Sequence, residues 1–126
     1  MAYTVDVNGN ITCFQGDTVR LTISGLDTSH NYELYLEIRN SSHVPMGEQQ
    51  HISTNNLSDV VFTIPATVTD TLNVPVGQET ETYYYGIKSV LNDSGNITED
   101  TLFLGTNSDF ETENTITVYP KKVEGV

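Results

Sequence analysis

The three histidines are the residues best suited to metal binding or acid–base chemistry. His30, His43 and His51 are the only imidazoles in the 126-residue chain, and we predict that all three lie in loops. His43 and His51 share the polar segment 41–56 with Glu48, so these side chains could in principle hold a metal ion. The eight-residue separation of the two histidines matches no recurrent spacing of metal ligands. We therefore interpret them as solvated loop residues.

Other candidates for catalysis or cofactor binding also fall short of a recurrent motif. Asp93, Asn96 and Asp100 surround the turn "NDSGN", but the turn lacks the ligand spacing of calcium loops. Asn and Asp favour such turns for conformational reasons alone. Cys13 lies at an apolar strand position and is interpreted as a small buried hydrophobe. With neither a G-x-S-x-G elbow nor a glycine-rich phosphate loop, the sequence predicts no enzyme activity, cofactor or metal.

The negative charge of the chain narrows the classes of partner. Seventeen acidic residues against five basic ones give a formal net charge of −12. Such a surface repels phosphate backbones and anionic lipid, so we predict that neither nucleic acid nor a membrane is a partner. The N-terminus lacks the features of a secretion signal, and no apolar run approaches the ~20 residues of a membrane span. We expect the chain to be made and folded in a cytoplasm.

Alternation of apolar and polar residues predicts the strands that would position these side chains. In "TVRLTIS", Val19, Leu21 and Ile23 face one way, and the intervening polar residues face the other. Similar segments recur with turns every ~8–12 residues, a spacing that is typical of β-sandwiches. The predicted core between two facing layers includes Val19, Leu21, Leu34, Leu36, Phe62, Tyr85 and Ile87.

These strands predict an all-β fold. We expect a single antiparallel immunoglobulin-like β-sandwich of seven or eight short strands over residues 1–120, followed by a short tail at 121–126. At most one short helical turn is expected, near 67–72 and capped by Thr67. The segment 41–56 is predicted as a contact loop, within which a short irregular edge strand could lie. The Cys…Trp…Cys signature of true immunoglobulin domains is absent, so only the architecture is expected to be shared.

Three consecutive tyrosines raise the question of a binding patch. Alternation instead places Tyr83 and Tyr85 in the core, with hydroxyl groups that reach partners at the sheet margin, and leaves only Tyr84 facing outward. Tyr35 also falls on the polar face of its strand. The candidate interaction surface therefore combines outward aromatic residues with loop and tail residues: Tyr35, Tyr84, His43, Met46, His51, Phe110, Lys121 and Lys122.

Six short motifs follow one another along nearly the whole chain. They are Gly16-Asp17-Thr18, Ile38-Arg39, Thr71-Leu72 with Pro75, Tyr83/Tyr85/Ile87, Asp93 to Gly95, and Val118-Tyr119-Pro120. The ordered set resembles small β-sandwich virion proteins of tailed bacteriophages and is similar to the N-terminal domain of phage upper-baseplate proteins. Two features depart from that family: its usual Asp after the tyrosine strand is Gly86 here, and no fibre-like extension is seen after Pro120.

The resemblance implies a non-enzymatic structural protein of the bacteriophage virion, in the tail, baseplate or neck. Such a protein acts through protein–protein contacts in a multicopy assembly, with other virion proteins or further copies of itself as partners. The expected contact elements are the 41–56 loop, the acidic 106–114 loop and the basic tail. One alternative is a capsid (head) decoration protein. Another is a carbohydrate- or receptor-binding module that presents Tyr35 and Tyr84 to a host surface glycan.

Overall fold

Nine β-strands and one short helix form the described part of the chain, residues 3–102 and 114–123 of a computed structural model. The helix in this part has only four residues, so the all-β prediction is confirmed. In chain order the elements are β1 Tyr3–Val5, β2 Ile11–Phe14, β3 Val19–Ile23, β4 Tyr32–Arg39, β5 Gln50–Ser53, β6 Val60–Ile64, α1 Ala66–Thr69, β7 Glu81–Asp93, β8 Asn96–Leu102 and β9 Asn114–Tyr119.

Strand β7 is the centre of a seven-stranded sheet because it has partners along both edges. One edge pairs with β4, and the other pairs first with β9 and then with β8. The sheet continues from β9 to β2 and β1, and from β4 to β5. Among the described pairs only β2 and β9 run parallel, so the prediction of a purely antiparallel arrangement is wrong there. Side chains alternate in the same way in either direction, which is why the sequence did not reveal the parallel pair.

Strands β3 and β6 form a separate two-stranded sheet whose apolar side chains complete the core. Their register places Leu21 beside Phe62, and the next inward-facing pairs, Val19–Ile64 and Ile23–Val60, are also apolar and buried. These side chains form one cluster with the inner residues of the large sheet. Burial of an aliphatic or aromatic side chain is worth about 1.5–3 kcal/mol. The predicted core is confirmed, since each of its members is buried: Val19, Leu21, Leu34, Leu36, Phe62, Tyr85 and Ile87.

The segment 41–56, predicted as a contact loop that could contain a short edge strand, does contain one: β5 lies at the edge of the large sheet. Because β5 pairs with β4, His51 is a strand residue and the loop prediction for it is wrong. Met46 is half-buried and packs against the core. Gly47 approaches α1 closely, and a Cβ at this position would lie 2.9 Å from Cγ1 of Val68. Its positive φ of 74° also favours glycine.

The predicted helical turn is present as α1, which begins at Ala66. Thr67 does not cap it: the N-cap residue is Pro65, and no described side chain makes a capping hydrogen bond. The helix is held from its buried side instead. The Thr69 hydroxyl donates a hydrogen bond of 2.6 Å to the carbonyl of Asp17, and the side chain of Val68 is buried in the core. A helix this short has little stability of its own, so these tertiary contacts keep it in place.

Strands β7 and β8 form the predicted hairpin. Asp93 pairs with Asn96, and the two residues between them have positive φ angles, 51° at Ser94 and 94° at Gly95. Positive φ at both central residues is typical of the type I′ turns that match strand twist. Ile97, predicted near the apolar face, is 65% exposed because it pairs with Asn92 at the exposed end of the hairpin.

The inward tyrosines of β7 bind backbone carbonyl groups of other segments, as predicted. Tyr83 and Tyr85 are each 5% exposed. The Tyr83 hydroxyl donates to the carbonyl of Asn73 at 2.5 Å, and the Tyr85 hydroxyl donates to the carbonyl of Gly9 in the β1–β2 turn. Burial raises the pKa of both hydroxyl groups, so they remain protonated donors at neutral pH. The Tyr85 bond connects β7 to the turn between β1 and β2, and the Tyr83 bond connects it to the segment after α1.

Removal of the Tyr85 hydroxyl should destabilise the fold. We expect Tyr85→Phe to lower the free energy of unfolding by about 1–2 kcal/mol, because the carbonyl of Gly9 loses a buried hydrogen bond. Urea denaturation measures the change. Tyr84→Phe, on the outer face of the same strand, is the matched control and should alter stability by less than about 0.5 kcal/mol. Equal effects of the two substitutions would contradict the assignment.

Cys13 should make stability sensitive to alkaline pH. Burial, reinforced by the charge of Asp17, raises the pKa of its thiol to about 11. An unfolded thiol ionises at a pKa near ~8.5, so below that pH the group is neutral in both states and has no linked effect. Between that value and the folded pKa the unfolded chain loses its proton first, and stability falls as pH rises.

Comparison with the variant Cys13→Val separates the effect of the thiol from that of tyrosine ionisation, because the parent protein and the variant contain the same tyrosines. From pH ~8.5 upward, we expect the free energy of unfolding to fall more steeply in the parent protein than in the variant. Urea titrations at several pH values give both slopes. Parallel slopes throughout would show that the thiol is not held neutral by the fold.

Candidate functional site

A groove lies over the face of β4 and β7 that points away from the core. Its volume is about 770 Å³, and the described residues that line it come mainly from these two strands and from β8. Tyr35 of β4 and Tyr84 of β7 both line it, and both rings are half-buried. The two outward tyrosines singled out in the sequence therefore share one concave surface.

The registers of β4 and β7 give the groove a regular arrangement of rings and charges. At its centre Glu37 pairs with Gly86. On one side of this pair Arg39 lies opposite Tyr84, and on the other side Tyr35 lies opposite Lys88. Each end of the groove therefore presents one aromatic ring and one cation. The ring belongs to β7 at one end and to β4 at the other. Alternation by two residues keeps all six side-chain positions on the same face.

Gly86 forms the floor of the groove at the point where β7 changes partner. Tyr85 pairs with Asn114 of β9, whereas Ile87 pairs with Leu102 of β8. Unlike the other glycines in the described residues, Gly86 does not have a positive φ. No atom of the described residues lies within 4 Å of a Cβ built there. Within the described residues, neither the backbone conformation nor packing against a neighbouring atom therefore accounts for the glycine.

The charged side chains of the groove are neutralised within it. Arg39 Nη2 lies 2.6 Å from Glu37 Oε1, and Gln49 Nε2 donates to Glu37 Oε2 at 3.3 Å. Lys88 Nζ lies 3.1 Å from Glu99 Oε1. The two carboxylates and two cations cancel in formal charge, in contrast to the net charge of −12 of the chain. The described residues of the groove are thus balanced in charge and rich in hydrogen-bonding groups.

The ring of Tyr35 is held by residues of β4 and β5 outside the groove. His51 stacks on it with a centroid distance of 4.6 Å and an interplanar angle of 10°. Nε2 of His51 lies 2.6 Å from Oε2 of Glu33, and the Ser53 hydroxyl donates to the same oxygen at 2.6 Å. Both hydrogen bonds lower the pKa of the Glu33 carboxyl group, and the bond from Ser53 has the larger effect. His51 occupies one side of the ring, and Tyr35 also lines the groove.

The structure brings together some of the sequence-predicted interaction residues and separates others. Tyr35, Tyr84 and His43 line the groove, and His51 lies behind Tyr35. Met46 packs instead against the core. The tail residues lie elsewhere: Lys121 Nζ is 2.5 Å from Asp70 Oδ1, and Lys122 Nζ is 5.6 Å from the ring centroid of Phe14. Phe110 and most of the 106–114 loop lie outside the described residues.

Sequence reasoning missed most of the polar residues of the groove. Alternation puts Glu37, Arg39 and Lys88 on the polar faces of their strands but does not single them out as a site, and Gly86 stands out only as a departure from a family pattern. The signal was present in the alternation itself, which puts these residues and the two tyrosines on outer faces. Alternation does not predict which strands are neighbours, however. The pairing of β4 with β7 brings their two outer faces together, and only the structure shows it.

Metal ligation finds no support in the arrangement of side chains. Within residues 3–102 and 114–123, no three His, Cys, Asp or Glu side chains are grouped so that they could hold a metal ion. His51, considered above with His43 and Glu48, is paired with Glu33. Asp93 and Asn96 face each other beside the hairpin turn, and Asp100 pairs with Ser89 further along β8.

No helix within residues 3–102 and 114–123 is long and apolar enough to cross a membrane.

The stack on Tyr35 should respond to acid through Glu33. Its carboxyl pKa lies below the ordinary value of 4.5, so the hydrogen-bonded arrangement is complete above that value and is lost as pH falls through the lower, folded pKa. We expect the Tyr35 ring protons to titrate in NMR spectra with a midpoint below 4.5. Ser53→Ala should raise this midpoint, because it removes the main cause of the shift. The ring of Tyr119 on β9 serves as the control. An acid transition of the Tyr35 ring that Ser53→Ala leaves unmoved would contradict the coupling.

Comparison with known proteins adds no relative to this description. No protein-family model matches the sequence, and no curated protein matches it at a significant level. The function must therefore be argued from the groove, from the fold and from the ordered motifs of the sequence.

Proposed function

We propose that this chain is a non-enzymatic structural protein of a bacteriophage virion. It acts in the tail, baseplate or neck through contacts with other virion proteins, or with further copies of itself, in a multicopy assembly. The observation that carries this proposal is the ordered set of six motifs, because the fold gives several of them a specific structural task. The virion is accordingly the proposed location.

The motifs lie where the chain turns or where the core is fixed, which supports the resemblance. Gly16 has a φ of 85° and precedes β3, as expected of a glycine that allows a turn before a strand. Tyr83 and Tyr85 anchor the central strand through their hydroxyl groups. The Asp93 to Gly95 motif makes the β7–β8 turn.

The strand order supports an immunoglobulin-like sandwich as the proposed architecture. In that fold, strands G, F, C and C′ lie side by side in one sheet, and B and E pair in the other. The order β9-β7-β4-β5 corresponds to the first set, and the β3–β6 pair corresponds to the second. The parallel β2–β9 pair adds a strand beside G.

Analysis of purified virions tests the structural role. Particles of the phage that encodes the chain are purified by density gradient and divided into heads and tails, and each fraction is quantified by mass spectrometry. We expect several copies of the chain in the tail fraction, with the major capsid protein as a marker for heads. Recovery with the heads alone would favour the capsid decoration alternative. Absence from mature particles would contradict a structural role in the virion.

A carbohydrate- or receptor-binding module is the second candidate, and one observation favours it. Tyr35 and Tyr84 line the same groove, and exposed aromatic rings beside hydrogen-bonding groups are a common basis for recognition of partly polar ligands. This function is compatible with a place in the virion, since surface components of a particle meet the host first.

A further inference from the structure

We propose that the groove binds an uncharged sugar ring, with Tyr35 as the stacking platform and Gly86 as the floor. The inference deepens the second candidate function by naming its ligand class, and it does not depend on where in a particle the chain lies. It rests on three observations: an unexplained glycine, a ring fixed from behind, and a neutral set of hydrogen-bonding side chains.

Gly86 is the first observation. Glycine in the interior of a strand is destabilising because it contributes no packing and loses much conformational freedom. It often marks a bulge, a bend, or a place where a ligand or another backbone approaches closely. Here the φ angle does not require glycine, and no described atom would contact an added Cβ. The position is nevertheless at the centre of the large sheet, between Tyr84 and Lys88 on the same strand. Space for a ligand above the strand accounts for the missing side chain.

The fixed ring of Tyr35 is the second observation. A pyranose ring presents a face of C–H groups that packs on an aromatic ring, and this contact is most effective when the ring is already held in place. The His51 stack holds the ring of Tyr35, and Glu33 in turn holds His51 through a 2.6 Å contact. Tyr84, diagonally across the Glu37–Gly86 pair, offers a second ring.

The polar side chains around Gly86 are the third observation, and they indicate an uncharged ligand. Sugar hydroxyl groups donate to carboxylates and accept from guanidinium and ammonium groups, which Glu37, Arg39 and Lys88 supply. Because each of these charges already has an opposite partner, an anionic or cationic ligand would gain little from them. The acidity of the whole chain further disfavours an anionic polymer.

An extended peptide fits these observations less well. Peptides that add to a sheet are recognised mainly through backbone groups at a free strand edge. The groove instead lies over the face of β4 and β7, which are paired with each other along the length of the groove, so it offers side chains. A peptide or a second copy of the chain is therefore treated as an outcome of the test.

The first measurement is a ligand-binding screen on the whole chain by NMR. The probes are the methyl glycosides of glucose, galactose, mannose and N-acetylglucosamine, together with glucuronic acid as a charged comparator and purified surface polysaccharide of the host. We expect at least one uncharged probe to bind with a dissociation constant on the order of 1 mM for a single ring. The ring signals of Tyr35 and the amide signal of Gly86 should shift, whereas those of Tyr119 should not.

Three variants then locate the site. Gly86→Leu adds a side chain to the floor, where a Cβ meets no atom of the described residues within 4 Å. It should leave the thermal midpoint unchanged or raised and yet weaken binding by about tenfold or more. Tyr35→Ala should weaken binding to a similar extent. Tyr119→Ala removes an outer-face tyrosine of the same sheet away from the groove and should leave affinity unchanged. Gly86→Thr repeats the test with a smaller side chain if the leucine variant does not fold.

Several outcomes overturn the proposal. Failure of the uncharged probes and of the host polysaccharide to bind the folded chain would do so, as would binding that is indifferent to both Tyr35→Ala and Gly86→Leu. Exclusive binding of the charged comparator would assign the groove to another ligand class. If Gly86→Leu dissociates an oligomer seen by sedimentation and no sugar binds, the groove serves a second copy. Detection of the chain in virions is independent of these results, so the virion role and the sugar site can fail separately.

Discussion

Strand β7 is constrained in two ways: its inner side chains pack in the core, and its edges form hydrogen bonds with three neighbouring strands. Its inner positions carry Tyr83, Tyr85 and Ile87, which are buried, and its edges meet β4, β9 and β8. A shift of one residue in this strand would turn the buried set toward solvent and would break the register with all three neighbours. The tyrosine hydroxyl groups oppose such a shift, because each reaches a single carbonyl group in a different segment.

The same constraint separates structural from functional positions. Once the inner residues of β7 are fixed by the core, the outer residues at the next positions are free to vary without loss of packing. Tyr84, Gly86 and Lys88 are such residues, and β4 offers a matching set on its own outer face. The groove therefore depends on the core for its geometry and contributes little to it. Its one evident cost is a glycine where a β-branched residue would stabilise the strand.

Much of the fold could be predicted because its strands bury one face. In β3 and β6 the buried and exposed positions alternate without exception, so the core residues were predicted correctly. Strand β5 was harder: its four residues carry a single large apolar side chain, Ile52, and its pairing with β4 fixes it. The parallel direction of β2 and β9, the missing Thr67 cap and the stack of His51 on Tyr35 also depend on tertiary contacts. Contacts of this kind produce no periodic pattern of apolar and polar residues, so they could not be predicted from the sequence.

The change of partner along β7 has a consequence for how this protein can diversify. Leu102 ends β8 opposite Ile87, and Asn114 begins β9 opposite Tyr85, so the two ends of the intervening segment are anchored only two residues apart on one strand. Because the entropy of closing a loop grows slowly with its length, insertions or deletions between these anchors impose little penalty on folding. Both anchors also line the groove. A change of length at this one place would therefore alter the surroundings of the groove while the hydrophobic interior stays as it is.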